Sequence, residues 1–582
     1  MDYKKIGLKV GIEIHQRLAT ETKLFCKCSA KLNESEALFS FRRKLRPTSS
    51  EIGEIDKAAF QEFIRGREIV YYFYENNCSV DTDSDFPREL NKEALEIALQ
   101  LAKLLKMQIP DELHIMRKVV IDGSNTTGYQ RTLLVGIGTS ESYIETNYGK
   151  VHLKELQLEE ESATKIRETE NEIHYRLDRL GIPLIELSCK PEIWHPKQAK
   201  EFAKKLGLLL RSLKVQRGIG SIRQDVNISI KNGARIEIKG FQEVEDLDKL
   251  IENEVLRQLD LIKIKKKLST IKFEFEEKDV TDLFINSNSK LLKELTKTKI
   301  LCLKVTNFSG LFKESCGKIT LGKEIANYVK FFGLKGILHT DEDLKKYGLA
   351  EEEINNLKEE MNAKNDLLIL IGGKNCEKAL ELLKRRIKYL KKGVPKETRF
   401  AEGTITRYAR ELPGAARMYP ETDLPNIKVK DLLDRIEIPE TLEEKKERFI
   451  ALGLNKEQAE QIIRSRDLDL FENLLNYKVE PKIIADLILN TKKYLEREGK
   501  KINKKDLEFV LELLEKDKIT RKAIPDVLIT GSIQGLEKIK GAELKRLVNS
   551  YTEKYGDEAI KKLMKDYGKR IDSREVFKYV NS

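Results

Sequence analysis

The sequence predicts a multidomain α+β protein built on a large mixed or antiparallel sheet. Three observations lead there. At 582 residues the chain is too long for one hydrophobic core. Short β-rich runs separated by amphipathic helices fill residues 1–270, whereas about 275–398 alternates strand-like and helical runs in the manner of a small α/β unit. The Gly-, Arg- and Pro-rich texture of the first segment returns at 398–425, which marks the middle unit as an insertion, and from 439 onward the periodicity is almost wholly helical.

Strand patterns lie at 6–14, 119–121, 183–188, 226–230 and 235–238, with amphipathic helices at 91–106 and 196–213. In the middle unit, 300–306 and 367–371 read as strands and 351–362 and 376–391 as helices. The breaker cluster Gly531-Ser532-Ile533-Gln534-Gly535 divides the helical end in two. Hydrophobic residues at 40% and charged ones at 35% support folded domains with a heavily charged surface and exclude disorder. No apolar run is long enough for a bilayer and no signal peptide opens the chain, so the cytosol is expected and no membrane partner. Seven irregularly spaced Cys argue against a disulfide framework. The net charge is +12, and residues 481–582 hold 24 Lys+Arg against 17 Asp+Glu. A basic end suits a polyanion such as RNA, a solvated Lys-rich helical surface being the plainer reading.

Five polar patches precede residue 245. In Gly11-Ile12-Glu13-Ile14-His15-Gln16, alternation puts Glu13 and His15 on one strand face, where carboxylate and imidazole can share a cation or a phosphate; a half-buried strand with a polar face is the alternative. Arg117 and Lys118 precede a strand, and the turn Asp122-Gly123-Ser124-Asn125-Thr126-Thr127-Gly128 follows it. Its N–H groups can cradle phosphate oxygens with Arg117, Lys118 or Arg131 supplying charge, although no Walker loop is present and an ordinary Asp-Gly hairpin also fits. Glu159-Glu160-Glu161 repel one another unless a cation compensates them, and at most two can share a face; a solvated acidic turn is the alternative. Glu186 stands among Leu184, Ile185 and Leu187, where a carboxylate needs a metal or an ion pair, Arg176 and Arg179 being at hand for the latter. In Arg223-Gln224-Asp225-Val226-Asn227-Ile228-Ser229 and Glu237-Ile238-Lys239, alternation lines up Asp225, Asn227, Glu237 and Lys239, an oxygen-rich surface with a lysine that suits Mg²⁺ and nucleotide phosphates. Cys26-Lys27-Cys28 and Cys78 offer three ligands for a structural Zn²⁺; no fourth is evident, and buried reduced thiols are the alternative.

Gly11-Ile12-Glu13-Ile14-His15, Leu158-Glu159-Glu160, Gly181-Ile182-Pro183-Leu184-Ile185-Glu186 and Arg223-Gln224-Asp225-Val226-Asn227-Ile228-Ser229, in this order, resemble the kinase/transamidase subunits of tRNA-dependent amidotransferases, the bacterial B and archaeal E subunits. The turn at 122–128, Arg176-Leu177-Asp178-Arg179-Leu180-Gly181 and Leu412-Pro413-Gly414-Ala415-Ala416-Arg417-Met418-Tyr419-Pro420-Glu421-Thr422-Asp423 look like the E type. The resemblance implies a cradle-like catalytic domain at 1–272 plus 399–435, an inserted domain at 273–398 similar to one in bacterial aspartyl-tRNA synthetases, a helical domain at 436–505 and a tRNA-binding tail domain at 506–582. It implies that ATP phosphorylates the γ-carboxylate of Glu on Glu-tRNA(Gln), and that ammonia then displaces phosphate to give Gln-tRNA(Gln).

By the same resemblance, His15, Glu160 and Glu186 hold Mg²⁺, and Glu13, Asp225 and Glu237 belong to a second cation site or complete the shell of the first. Arg117, Lys118 and Lys239 touch phosphate, while Ser124, Asn125 and Thr126 contact ATP or the aminoacyl end. Glu161-Ser162 departs from the Asp-Ala usual in the family. The chain carries no amidase nucleophile motif, so ammonia must come from a partner. In this family that partner is an asparaginase-like amidase, the D subunit, in a heterotetramer of two D and two E subunits. Two rival readings stand beside this one: a non-catalytic tRNA-binding protein that kept the fold, and an ATP-dependent ligase acting on a small carboxylate. The clustered acids argue against the first, and the basic helical end against the second.

Overall fold

The computed structural model describes residues 1–49, 53–169, 171–412, 417–420 and 422–580. They form two compact units, Met1–Pro439 and Glu440–Ser582. The motif segment 413–416 and Glu421 lie outside the described residues.

A mixed sheet dominates the first unit. Its strands are β1 Lys9–Arg17, β2 Ile115–Val119, β3 Tyr129–Ile137, β4 Gly149–Glu160, β5 Pro183–Cys189, β6 Ile222–Ser229, β7 Ile236–Phe241, β8 Glu397–Glu402, β9 Ile405–Glu411 and β10 Met418–Tyr419. They run β9-β8-β7-β6-β1-β5-β4-β3-β2-β10, with Tyr143–Thr146 paired to β4 at the side. Neighbours are antiparallel except β7 and β8, which are parallel. A parallel pair needs a crossover, and here residues 242–396 supply it: the chain leaves the sheet after β7, builds a separate region and returns at β8.

Alternation explains the two faces of this sheet. Ile12, Ile14, Leu156, Leu158, Ile185, Leu187, Val226, Ile228, Ile236 and Ile238 all point to one side and are fully buried. The helices α1 Lys92–Leu104, α2 Pro196–Leu210 and α3 Leu247–Leu268 supply apolar stripes to the same core through residues such as Leu99, Phe202 and Ile251. Asn91 caps α1 by accepting from the Ala94 N–H at 2.9 Å, and Pro196 pre-sets the first turn of α2. Each such Ile or Leu contributes about 1.5–3 kcal/mol through burial. The opposite face carries the charges.

Two sequence expectations shift. The first strand begins at Lys9, because Tyr3–Ile6 forms a helical turn closed by Gly7 at φ +69°. The strand expected at 119–121 runs instead over Ile115–Val119, so Arg117 and Lys118 lie within it and do not precede it. Their charge masked the strand pattern.

Within the crossover, Phe275–Asp279, Ile300–Val305, Leu367–Gly372 and Leu338–His339 form a four-stranded antiparallel sheet in that order. The helices α4 Leu321–Val329, Glu351–Glu360 and α5 Cys376–Tyr389 accompany it. Five buried charges tie this region to the main sheet: Glu254 and Arg257 on α3, Glu324 on α4, and Glu397 and Arg399 on β8. Arg257 donates to Glu254 and Glu324 at 2.8 Å each, and Arg399 donates to Glu324 at 2.8 Å. In the second unit the described residues hold helices and no strand. The helix Ile524–Thr530 stops at Gly531, whose φ of +70° suits glycine. Among the described residues no helix is long and apolar enough to cross a membrane.

Candidate active site

Register assembles the site on the polar face of the main sheet. Glu13 on β1 lies opposite Asp225 on β6 and Ser188 on β5, and His15 lies opposite Arg223 and Glu186. Glu237 on β7 faces Asn227. Two acidic groups result. His15, Glu159 and Glu186 offer ligand atoms all within 4.8 Å of one another, and so do Glu13, Asp225 and Glu237.

Each group contains one lysine. Lys118 donates to Glu159 and stands 3.4 Å from Glu186, whose other neighbour is His15 Nε2 at 3.1 Å. Lys239 lies 2.9 Å from Asp225 and 3.0 Å from Glu237. Fixed donors complete the second group: Asn227 to Glu13 at 3.0 Å, the Gly240 N–H to Asp225 at 2.8 Å and the Thr398 hydroxyl to Glu237 at 2.9 Å.

Crowding sets the titration of these groups. Burial, and then the Glu186 and Asp225 charges, push the Glu13 carboxyl up to about 7. Burial and Glu186 also raise Glu159, whereas Lys118 and His15 overcome burial at Glu186 and hold it well below the usual carboxylate range. Burial is likewise overcome at Asp225, chiefly by Lys239 and His15. The donor set, carboxylates with a single imidazole, fits a hard divalent cation. His15 Nδ1 is buried with no hydrogen-bond partner among the described residues.

The sequence expectations fare unevenly in space. Glu13, Asp225 and Glu237 come together, and so do His15 and Glu186. Glu160 does not join them: it points to the other face, where it accepts from the Arg131 N–H at 2.8 Å and from its guanidinium at 3.3 Å. Its neighbour Glu159 takes the place beside His15, held there also by Gln130 at 2.9 Å and Thr132 at 3.0 Å. One-residue parity is the reason. Glu186 pairs with His15 and Lys118, not with Arg176 or Arg179. Arg117, on the face away from Lys118, stacks over Tyr129 at 5.0 Å. Ser124 donates to Asp122 at 2.6 Å, and Asn125 and Thr126 are buried, Asn125 accepting from the Thr127 hydroxyl at 2.9 Å and Thr126 donating to the Asp81 carbonyl at 2.7 Å. These three shape the turn. Gly123 packs on Ile69, so that part of the turn presents no open cradle. Glu161 is fully buried and pairs with Arg223 at 2.9 Å, steadying the residue that faces His15.

Cys26, Cys28 and Cys78 gather as the C-x-C reading requires, and Asp81 joins them with all ligand atoms within 4.8 Å. Asp81 also accepts from Lys23 at 2.9 Å. The sequence reading missed it, although its place three residues after Cys78 was a signal. A cleft of about 560 Å³ opens beside Lys239, with Asp122, Lys330, Arg407 and Arg410 in its wall.

The model of the GatB/GatE catalytic domain matches residues 8–434. A protein of Archaeoglobus fulgidus, named as the E subunit of glutamyl-tRNA(Gln) amidotransferase, is 45% identical over 91% of this chain and 87% of its own length. Proteins of the same name from Methanocaldococcus jannaschii and Saccharolobus solfataricus are 44% and 42% identical over 96% and 98% of this chain, and over 92% and 94% of their own lengths.

Proposed function

The chain belongs to the GatB/GatE family, and on that premise we propose that it acts in tRNA-dependent transamidation as an E-type subunit, phosphorylating the glutamate of Glu-tRNA(Gln) with ATP and amidating it to Gln-tRNA(Gln). The observation that carries this reading is the pair of acidic groups, each compensated by one lysine, side by side on a rigid sheet. Pure RNA binding has no use for such acids; phosphoryl transfer does.

A carboxylate oxygen is a poor leaving group, and phosphorylation makes it a good one. His15, Glu159 and Glu186 would hold Mg²⁺, and Glu13, Asp225 and Glu237 a second cation, whose charge would offset that of a transferring phosphoryl group. Lys118 and Lys239 then exchange their carboxylates for phosphate oxygens, which their long stems permit. Arg223, fixed by Glu161, stays beside His15 and adds positive charge at the same edge. The open cleft at Lys239 suits the entry of a nucleotide or an aminoacyl end. Ammonia comes from an asparaginase-like D subunit, in an assembly of two D and two E subunits, because the sequence lacks an amidase motif. The crossover region takes the place of the aspartyl-tRNA-synthetase-like insertion. In the second unit a groove of about 410 Å³ lined by Lys478, Arg521, Lys522, Lys538 and Arg574 supports tRNA contact there. Cys26, Cys28, Cys78 and Asp81 would hold a structural Zn²⁺, and the complex works in the cytoplasm.

The test is to co-express the chain with an asparaginase-like amidase and supply Glu-tRNA(Gln), ATP and Mg²⁺. Gln-tRNA(Gln) should form, and Glu186→Ala should abolish γ-phosphoryl transfer while tRNA binding survives. Undiminished transfer in that variant would overturn the site.

A further inference from the structure

Arg386 on α5 is 4% exposed, yet none of its three guanidinium nitrogens has a hydrogen-bond partner among the described residues. Its guanidinium lies 5.2 Å from the centre of the Tyr328 ring. A buried cation without an acceptor is unfavourable, and folded chains rarely keep one without use. Arg386 lines a cavity of about 260 Å³ between α5 and the strands β8 and β9, with Arg385, Tyr389, Lys396 and Tyr408 also in the wall.

The carboxylates of that wall are already engaged. Glu397 accepts the Tyr328 hydroxyl at 2.7 Å and pairs with Arg399, and Glu411 pairs with Arg385 at 3.0 Å. Arg386 and Lys396 are left as the two wall cations without a carboxylate partner among the described residues. A guanidinium presents a planar fork matched to two oxygens of one oxyanion, and a second cation favours a dianion over a single carboxylate. The volume falls short of the roughly 300–1,000 Å³ typical of drug-sized ligands, so a small oxyanion fits better than a whole nucleotide.

We propose that this cavity is a phosphate-group site, with Arg386 as its bidentate anchor and Lys396 as its second cation, distinct from the acidic surface. The two are close neighbours through β8: Glu397 lines the cavity, and the next residue, Thr398, donates to Glu237.

The phosphate can be a free anion or the end of a nucleotide chain. The test is calorimetric titration of the whole chain with inorganic phosphate at constant ionic strength, alongside Arg386→Lys and Arg386→Met. Saturable binding is expected for the unaltered protein, at least ~10-fold weaker binding for Arg386→Lys, which keeps the charge but loses the fork, and none for Arg386→Met. In phosphate-free buffer Arg386→Met should melt no lower than the unaltered protein, because it removes an unpaired buried cation. Displacement of phosphate by a 5′-phosphorylated oligonucleotide would identify a chain end as the source, and displacement by pyrophosphate alone a free anion. Unchanged phosphate affinity in Arg386→Met would overturn the proposal. So would a failure of the unaltered protein to bind phosphate saturably.

Discussion

His15 Nε2 lies 3.1 Å from a carboxylate oxygen of Glu186, across the pairing of two neighbouring strands. Both side chains are held by sheet register and not by a loop, so their separation is a property of the scaffold. Around this pair the identity of the third ligand decides the chemistry.

Glu159 and Glu160 are adjacent but face opposite ways, and their variants should behave differently. Glu159→Gln should lower the rate of γ-phosphoryl transfer by about 10²-fold or more with little loss of stability. Glu160→Gln should leave the rate within a few-fold and cost on the order of 1–3 kcal/mol, because Arg131 loses the buried negative charge and one of the two oxygens it donates to. Release of ADP and urea midpoints measure the two effects. The reverse pattern would move the cation to the other face.

Lys118 compensates Glu159 and Glu186 from within the sheet. Replacing it by Met leaves Glu159 without a cation and Glu186 with His15 alone, which should cost about 3–5 kcal/mol in EDTA. Millimolar Mg²⁺ should restore a good part of that loss, since the cation takes over the same charges. Thermal melts with and without Mg²⁺ decide the matter, and an equal deficit in both buffers would rule out a cation at this group.

Glu324 gives the pH dependence of the junction between the crossover region and the sheet. Burial would raise its carboxyl, but Arg399 and Arg257 outweigh that and bring it from 4.5 to about 2. The folded value lies below the unfolded one, so the stabilisation is complete above about pH 4.5 and fades as pH falls toward 2. It amounts to about 3 kcal/mol. Glu324→Gln should therefore be less stable at neutral pH, with its stability curve converging on that of the unaltered protein as pH falls to about 2. Two curves that stay parallel through the acid range would refute this.

The thiol cluster can be tested by metal content. Protein purified without added metal should carry about one Zn²⁺, and Cys78→Ser should lose most of it. Asp81→Asn should weaken retention less, because Asp81 also serves Lys23. Elemental analysis of the three proteins reads this directly. A metal-free unaltered protein that keeps its melting temperature in chelator would assign the thiols to packing alone.

Period-two alternation made much of the site legible. It placed Glu13 with His15, and Asp225 with Asn227, before any pairing was known, because strand geometry alone sends such residues to one face. It could not choose between Glu159 and Glu160. Three consecutive acids fit either parity, and only the register of β4 against β5, with Leu184 opposite Glu159, breaks the tie. Alternation has no hold on Asn125 and Thr126, which lie in a turn: short polar side chains bond to nearby backbone as readily as to a ligand, and here both make such bonds. Arg386 carried no local signal, since its value lies in what does not touch it.

The parallel joint between β7 and β8 has a consequence for synthesis. The strands from β1 to β7 can pair as soon as they leave the ribosome, but β8 lies about 150 residues further on. At translation rates of about 5–20 residues per second, the edge of β7 stays unpaired for roughly 8–30 s. During that interval the nascent sheet shows an open, Ile-rich rim around Ile236 and Ile238, which in the finished protein is covered by β8. The order of the gene thus exposes the sheet beside the acidic surface to a waiting period, and a chaperone that shields strand edges would act on this protein between those two strands.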